Sequence, residues 1–363
     1  MIELKAGVGT LTASAALVLC SVPCHVTAAG DTSAPAATVE ITDRDSHPSF
    51  GGPSSVASQI QSDEKPKSPV FDLDETPSTF QRYADFKARL REEYGLALGM
   101  DYNLLFQHAG KSLGEENAAS GVFRFFGRWT VVGQEAGKPG SIEFKVENRH
   151  RLGTDIAPQA LGGEVGYAGL TAVPFSDAGS LLTNLYWHQS LDDNRLGYVV
   201  GIVDVTDYVD VYGLVNPWTD FGNLAFSTSP TIPAPDQGFG TAIRWSIAEH
   251  YYVLAGFADA NGAPSDPWDS VESFFDDGEH FKHIEVGWYD TWETRIENNI
   301  HVTLWQVDER TEVGIPDGWG VAFSFSKKID GQWLPFLRAG YADGSGALLE
   351  RSVSAGFGYY TPD

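Results

Sequence analysis

Long apolar runs are missing from this chain. Nowhere in its 363 residues do the roughly 18 consecutive apolar side chains occur that a membrane-crossing helix needs, which excludes helical spans. Cysteine and methionine occur twice each. Cys20 and Cys24 both lie close to the N-terminus and neither follows the small residue of a lipoprotein signal, so no disulfide framework is available. Basic residues are scarce: 24 Lys and Arg face 49 Asp and Glu, a formal net charge of −25, which argues against nucleic acid as a partner. What is plentiful is glycine, 39 residues, and aromatic side chains, 12%. That is the composition of strands and turns rather than of helices.

The N-terminal region divides in three. Residues 1–28 read as an export signal: Lys5, an apolar stretch from Leu11 to Val22, and Val26-Thr27-Ala28 as a small-x-small cleavage site. Removing them takes away Glu3 and Lys5, leaving the net charge unchanged and the mature chain without cysteine. Residues 29–76 are rich in Ser, Pro, Ala and Asp without periodicity, which predicts a disordered spacer. Residues 77–95 predict a short helix from Pro77 to Tyr94, with Ser78 as its cap and Gly95 as its stop, set to lie against the mouth or wall of the strand region beyond Gly95.

From Leu96 onward the hydrophobic period is two. Leu96, Leu98, Met100, Tyr102, Leu104 and Phe106 share one face, with Gly99, Asp101, Asn103 and Gln107 on the other. Phe123, Phe125, Trp129 and Val131 oppose Arg124, Arg128 and Thr130; Ile142, Phe144 and Val146 oppose Glu143, Lys145, Glu147 and Arg149. Further segments are Leu181–Ser190, Gly197–Val205, Phe239–Ile247, Tyr251–Asp259, Phe281–Tyr289, Asn299–Asp308, Trp319–Lys327, Trp333–Tyr341 and Leu349–Tyr360, twelve in all. Each is about as long as a strand that crosses a bilayer. Tight turns at Leu191–Leu196, Ala248–His250 and Ile329–Gln332 alternate with long connections at 150–180, 206–238 and 260–280. Charged residues on one face and aromatics on the other predict an all-β fold, an antiparallel transmembrane barrel over 96–363 with water inside and lipid outside. Trp129, Trp187, Trp245, Trp288, Trp305, Trp319 and Tyr360 are placed as an interfacial girdle.

The stretch from Trp187 to Trp245, followed by HYYVLAGFADANG at 250–262, resembles the carbohydrate-selective porins of the OprB type. Gln189 and Leu191 match the "x-Q-x-L" strand end, Gly201 and Asp204 the "G-x-x-D" strand, Asn216, Phe221 and Asn223 the "N-x-x-x-x-F-x-N" loop, and Asp259–Gly262 the closing "a-D-A-N-G". The likeness extends loosely over about 90–360. It implies a barrel of about sixteen strands in the outer membrane of a Gram-negative bacterium, admitting small sugars and other polar solutes by diffusion. Implied partners are mono- and oligosaccharides in transit, outer-membrane lipid and lipopolysaccharide, and the barrel-assembly machinery; the channel is a monomer or homotrimer. The chain departs from that pattern in showing twelve segments and ending at Thr361-Pro362-Asp363 without a terminal aromatic strand, which reads as a C-terminally shortened member.

By alternation, the candidate lumen residues are Asp101, Asn103, Arg124, Arg128, Lys145, Glu147, Arg149, Arg244, His283 and Glu285. For any single one, a solvated charge or cross-strand ion pair is the plainer role. The connection 206–238 carries Asn216, Trp218, Phe221, Asn223 and Phe226 among several prolines. So many large apolar groups in a loop predict that it folds into the mouth and constricts it. Two other classes compete: a soluble periplasmic glycan-binding sandwich, and a barrel lipase, for which His301 is the best-placed histidine but lacks a serine partner. Gly110-Lys111-Ser112-Leu113-Gly114 matches G-x-S-x-G yet sits in a polar loop rather than at a strand-to-helix elbow. His280 and His283, with Asp276, Asp277 and Glu279, fit no metal-ligand spacing. No cofactor, metal or catalytic residue is called for.

Overall fold

The computed structural model describes residues 50–64, 77–133, 138–192, 194–344 and 346–360. The export signal at 1–28 and the last three residues lie outside them. Twelve strands form one antiparallel sheet in chain order: β1 Leu96–His108, β2 Asn117–Val132, β3 Gly140–Arg151, β4 Gly179–Leu191, β5 Leu196–Val203, β6 Gly238–Ala248, β7 Tyr251–Asp259, β8 His280–Tyr289, β9 Asn299–Val307, β10 Gly318–Ser326, β11 Trp333–Gly344 and β12 Arg351–Tyr359. All twelve segments of the alternating pattern are strands. The short connections gather at one end, where Asp192 and Asn194 in one turn, and Asp330 and Gly331 in another, take left-handed backbone. Asp, Asn and Gly are the residues that tolerate it. The long connections gather at the other end.

The sheet is inside out compared with a water-soluble one. Leu104 is 62% and Val302 40% exposed, whereas Glu285 is 2% and His301 1% exposed. Greasy residues therefore point outward along every hairpin, and charged ones are enclosed. A soluble sandwich would stack the greasy face on a second sheet; the described strands make one sheet only. Trp129, Trp245 and Trp319 face outward; Trp129 and Trp245 with Trp187, Trp288, Tyr251, Trp333 and Tyr359 lie near the short-turn end, the arrangement of an interfacial belt, whereas Trp319 sits at the long-connection end of β10. Trp305 does not join it. Its indole turns inward and lies against Gly320 of β10, where a side chain would collide with it. Tyr360 also leaves the girdle, packing beside the inward Leu334 cluster.

One expectation needs correction. The sequence reads residues 29–76 as disordered, yet Val56–Glu64 is a helix, α1, seated inside the sheet on Phe126 of β2 through Val56 and Ile60. Spacing of one turn between those two side chains presents a single apolar face, and Phe126 stands on the inner face of β2 between Arg124 and Arg128. A second helix, α2, runs from Pro77 to Tyr94, touches β1, and is tied to α1 by Lys87–Asp63 and Arg91–Glu64 ion pairs. The strand number is the twelve counted from the sequence. Twelve strands are present rather than the sixteen that the resemblance implies, and among the described residues β1 pairs only with β2 and β12 only with β11, so the curled sheet carries two open edges.

Placing charge on the outer face tests which solvent it meets. Val302→Arg, in the middle of β9, is expected to lower the unfolding free energy in lipid vesicles by about 2–4 kcal/mol, read from urea titration. An unchanged midpoint would place that face in water.

Candidate functional site

The inner face of β1–β4 is a charge ladder built by register. Asp101 stands opposite Arg124, Arg124 opposite Glu147, and Arg128 opposite Glu143. Opposite charges on directly facing positions attract across the ladder. Arg124 accordingly donates Nε to Asp101 Oδ1 at 2.7 Å, and Asn103 Nδ2 reaches the same oxygen at 2.8 Å. Arg128 Nε meets Glu143 Oε1 at 2.9 Å; Tyr186 donates its hydroxyl to Glu143 Oε2 at 2.9 Å, and His188 Nδ1 lies 3.0 Å from Oε1. Arg149 Nε holds Glu147 at 2.8 Å along one strand. Lys145 Nζ lies 3.7 Å from Asp207 of the β5–β6 connection. Burial pushes the Asp207 carboxyl up to about 7, against the pull of Lys145.

The remaining three strand candidates lie on the far wall. Glu285 is the hub there. Its Oε1 accepts from Tyr252 Oη at 2.7 Å, and its Oε2 from Thr303 Oγ1 at 2.6 Å and the Asp210 amide at 2.8 Å. Asp210 in turn binds His301 Nε2 at 3.0 Å and forms an ion pair with Arg338 of β11. Arg338 Nη1 also donates to the carbonyls of Phe226 and Thr228 at 3.0 and 2.9 Å. Arg244 lies among Tyr252, Tyr289 and Trp292, and His283 is buried beside Tyr208 and Phe281. Asp210, Tyr252, His301, Thr303 and Arg338 are absent from the sequence-derived set. Parity alone marked His301 and Thr303 as sharing a face. Arg338 was hidden because Leu334 and Phe336, its inward neighbours, are apolar and blur the alternation of β11.

The connection 204–237 packs on the inner face of the sheet. Val205, Tyr208 and Val209 pack with Val199, Leu254 and Phe281 of the wall, and Tyr212, Leu214 and Val215 with Leu334 and Phe336. Phe221 and Phe226 meet Phe336 edge-on, while Trp218 crosses to the opposite wall, where the Arg124 guanidinium sits 3.9 Å from its ring. Asn216 and Asn223 shape the loop: their side chains accept the amides of Trp218 at 3.2 Å and Ala225 at 2.9 Å, each closing a local turn.

A second insert was not foreseen. Phe50 is buried against Tyr208 and His188, and the Gly52 amide donates to the Asp207 carbonyl at 2.5 Å. Gly51 has φ of 92° and Gly52 abuts Val211, so neither position has room for a side chain without strain. Phe50 and Gly51 border two cavities of the interior. One is completed by Glu143, Asn184, Tyr186, His188, Asp204 and Asp207. The other is completed by Arg244, Tyr252, Glu285, Tyr289, Arg295 and Asn299.

Comparison with known proteins finds likeness in architecture only. No protein-family model and no curated protein sequence matches the chain. Among solved structures, OprB of Pseudomonas putida superposes with a TM-score of 0.56 at 12% identity, over 76% of this chain and 73% of OprB. Weaker superpositions include a Rh. blastica porin variant, TM-score 0.39 at 12% identity over 73% and 80% of the two chains. Another is Salmonella typhi OmpF, TM-score 0.35 at 10% identity over 74% and 86%. The fold is that of an outer-membrane porin barrel, and it resembles OprB.

If Arg338 fastens the inserted loop, Arg338→Met should cost about 3 kcal/mol or more, since it leaves the buried Asp210 carboxylate short of its strongest partner. Chemical denaturation of refolded protein reads the loss, and adding Asp210→Asn should recover part of it. A loss below about 1 kcal/mol would mean that the pair does not hold the loop.

Proposed function

We propose that this protein is an outer-membrane channel through which small polar solutes, sugars foremost, diffuse passively. One observation carries the reading: along the twelve-stranded sheet the charged and polar residues face an enclosed interior, and the outward face is greasy. In hydrocarbon such a surface is stable, and the polar interior serves solutes that hydrocarbon rejects. The preference for sugars rests on the wall chemistry. Acids and guanidiniums that donate and accept alternate with Tyr, Trp and His rings, and a pyranose offers both hydroxyls and weakly apolar faces. Passage favours several weak contacts over one tight pocket, and the charge ladder of β1–β4 supplies them in series. The outward band and its aromatic belt suit outer-membrane lipid, and the likeness to OprB supports the same assignment.

The two inserts are the narrowing elements. Replacing Asn216–Pro235 with a short Gly-Ser linker should raise single-channel conductance in planar bilayers and weaken discrimination between glucose or maltose and salt. Phe50→Ala should raise conductance by joining the two interior cavities while leaving the wall intact. Unchanged conductance in either variant would remove that insert from the constriction, and refolded wild type that conducts no current would defeat the channel reading.

A further inference from the structure

Two inserts fold inward, but the connection between β7 and β8 folds outward. It contains a third helix, α3, Pro267–Asp276, whose start is set by Pro267 in the first turn and by Asp266, which accepts the Asp269 amide. Ser270 and Ser273 donate to the two carboxylate oxygens of Asp259 at 2.9 Å each, and Ser270 Oγ accepts the Phe239 amide at 3.0 Å. Those bonds fasten the helix to the ends of β6 and β7. Phe239, Phe257 and His280 point outward on three neighbouring strands, and the Phe274 ring lies 4.9, 5.5 and 4.6 Å from theirs. The helix therefore sits on the outside of the wall, at the long-connection end.

A repeat of about 3.6 residues per turn sorts the other side chains of α3. Trp268, Val271 and Phe275 fall on one flank, and Asp269, Glu272 and Asp276 on the opposite one. Phe275 meets Phe239 at 5.4 Å yet is 66% exposed, and Trp268 is 76% exposed. Lys282 marks the level: it stands opposite Phe257 in register, points outward and pairs with Asp308 at 2.7 Å. There the greasy outer face gives way to charge. A helix lying along such a boundary, greasy on one flank and charged on the other, suits the plane between headgroups and acyl chains. We propose that α3 is an interfacial anchor, its Trp268, Val271 and Phe275 flank seated in the lipid leaflet at the long-connection end and its acidic flank in water. The flank continues the outward face of β6 and β7, which already meets lipid, and with Trp319 it supplies the aromatic girdle expected at this second interface. A second copy of the chain fits the flank poorly. Trp and Phe bury about 150–250 Å² each, together less than the roughly 800 Å² per partner of a stable interface. The anchor rests on the membrane reading of the outer face.

Spin labels test this in the full-length chain, with Cys20→Ser and Cys24→Ser removing its own thiols, refolded into phosphatidylcholine vesicles. Labels are placed singly through Trp268→Cys, Phe275→Cys and Asp269→Cys, and through Val302→Cys as the lipid reference. Paramagnetic resonance reads collisions with oxygen, which concentrates in lipid, and with a water-soluble nickel chelate. Labels at 268 and 275 are expected to favour oxygen at a shallower depth than the label at 302, and the label at 269 to favour nickel. Nickel favoured at 268 and 275, or oxygen at 269, overturns the inference. Shielding of 268 and 275 from both collision partners overturns it too, and spectra that sharpen on dilution with unlabelled chain would identify a second copy as the cover. A label at 302 that favours nickel defeats the membrane reading itself, whereas oxygen favoured at 302 but not at 268 and 275 sinks only the anchor. Should a labelled variant not refold, the emission lost in Trp268→Phe decides: quenching by phosphatidylcholine brominated high on its acyl chains supports the anchor, and quenching by aqueous iodide overturns it.

Discussion

A β-strand shows its two faces to whatever lies on either side of the sheet, and in this chain the two sides differ in solvent. The rest of the structure depends on that constraint. Moving any strand by one residue would send its charges outward and its aromatics inward, so register is fixed by the contrast between faces. The charge ladder records the result. Asp101, Arg124 and Glu147 line up across three strands, and Arg128 faces Glu143. Each of these inward charges therefore meets its opposite at the closest spacing that the sheet permits. Enclosed charge is costly unless paired, so the same register that turns grease outward also makes the interior tolerable.

The inner wall nevertheless falls into two regimes. On β1–β4 the inward row is dense in charge. From β5 to β11 it mixes charge with Val199, Ala242, Leu254, Phe281, Trp305, Leu334 and Phe336. An apolar patch facing a water-filled space needs a cover, and the 204–237 connection supplies one from Val205, Val209, Tyr212 and Leu214. Its descent brings its own backbone and Asp210 into a water-poor region, where Glu285, Asn299 and Arg338 satisfy them. The loop and the wall are thus mutually required: each carries the partner groups that the other would leave exposed or unpaired.

How much of this was legible in the sequence is a matter of range. Face assignment is local, because side chains alternate at a fixed period, and all twelve strands with most of their inward charges could be read directly, Arg338 being the exception. Pairing between strands and loops is not local. Asp210 and Arg338 are 128 residues apart, and nothing in either segment names the other. Trp305 shows the limit of composition as a guide. Its type suggests the outer belt, its parity with His301 and Thr303 says inward, and the space left by Gly320 decides for parity. The N-terminal insert was hidden for another reason. Val56 and Ile60 are too few to stand out in a polar tract, and Phe126, an inward apolar ring between Arg124 and Arg128, signals that something must sit on it.

That insert changes what the ladder of β1–β4 can do. The most highly charged wall is the one on which α1 rests, and Phe50 stands where the two interior cavities would otherwise meet. Ring contacts and one backbone hydrogen bond to Asp207 hold Phe50 and Gly52, whereas the loop is tied down by a buried ion pair and by its carbonyl contacts to Arg338. The two inserts therefore differ in how firmly they are fixed. Removing the N-terminal insert would leave the sheet's own ladder unbroken, because no strand pairing runs through residues 50–64.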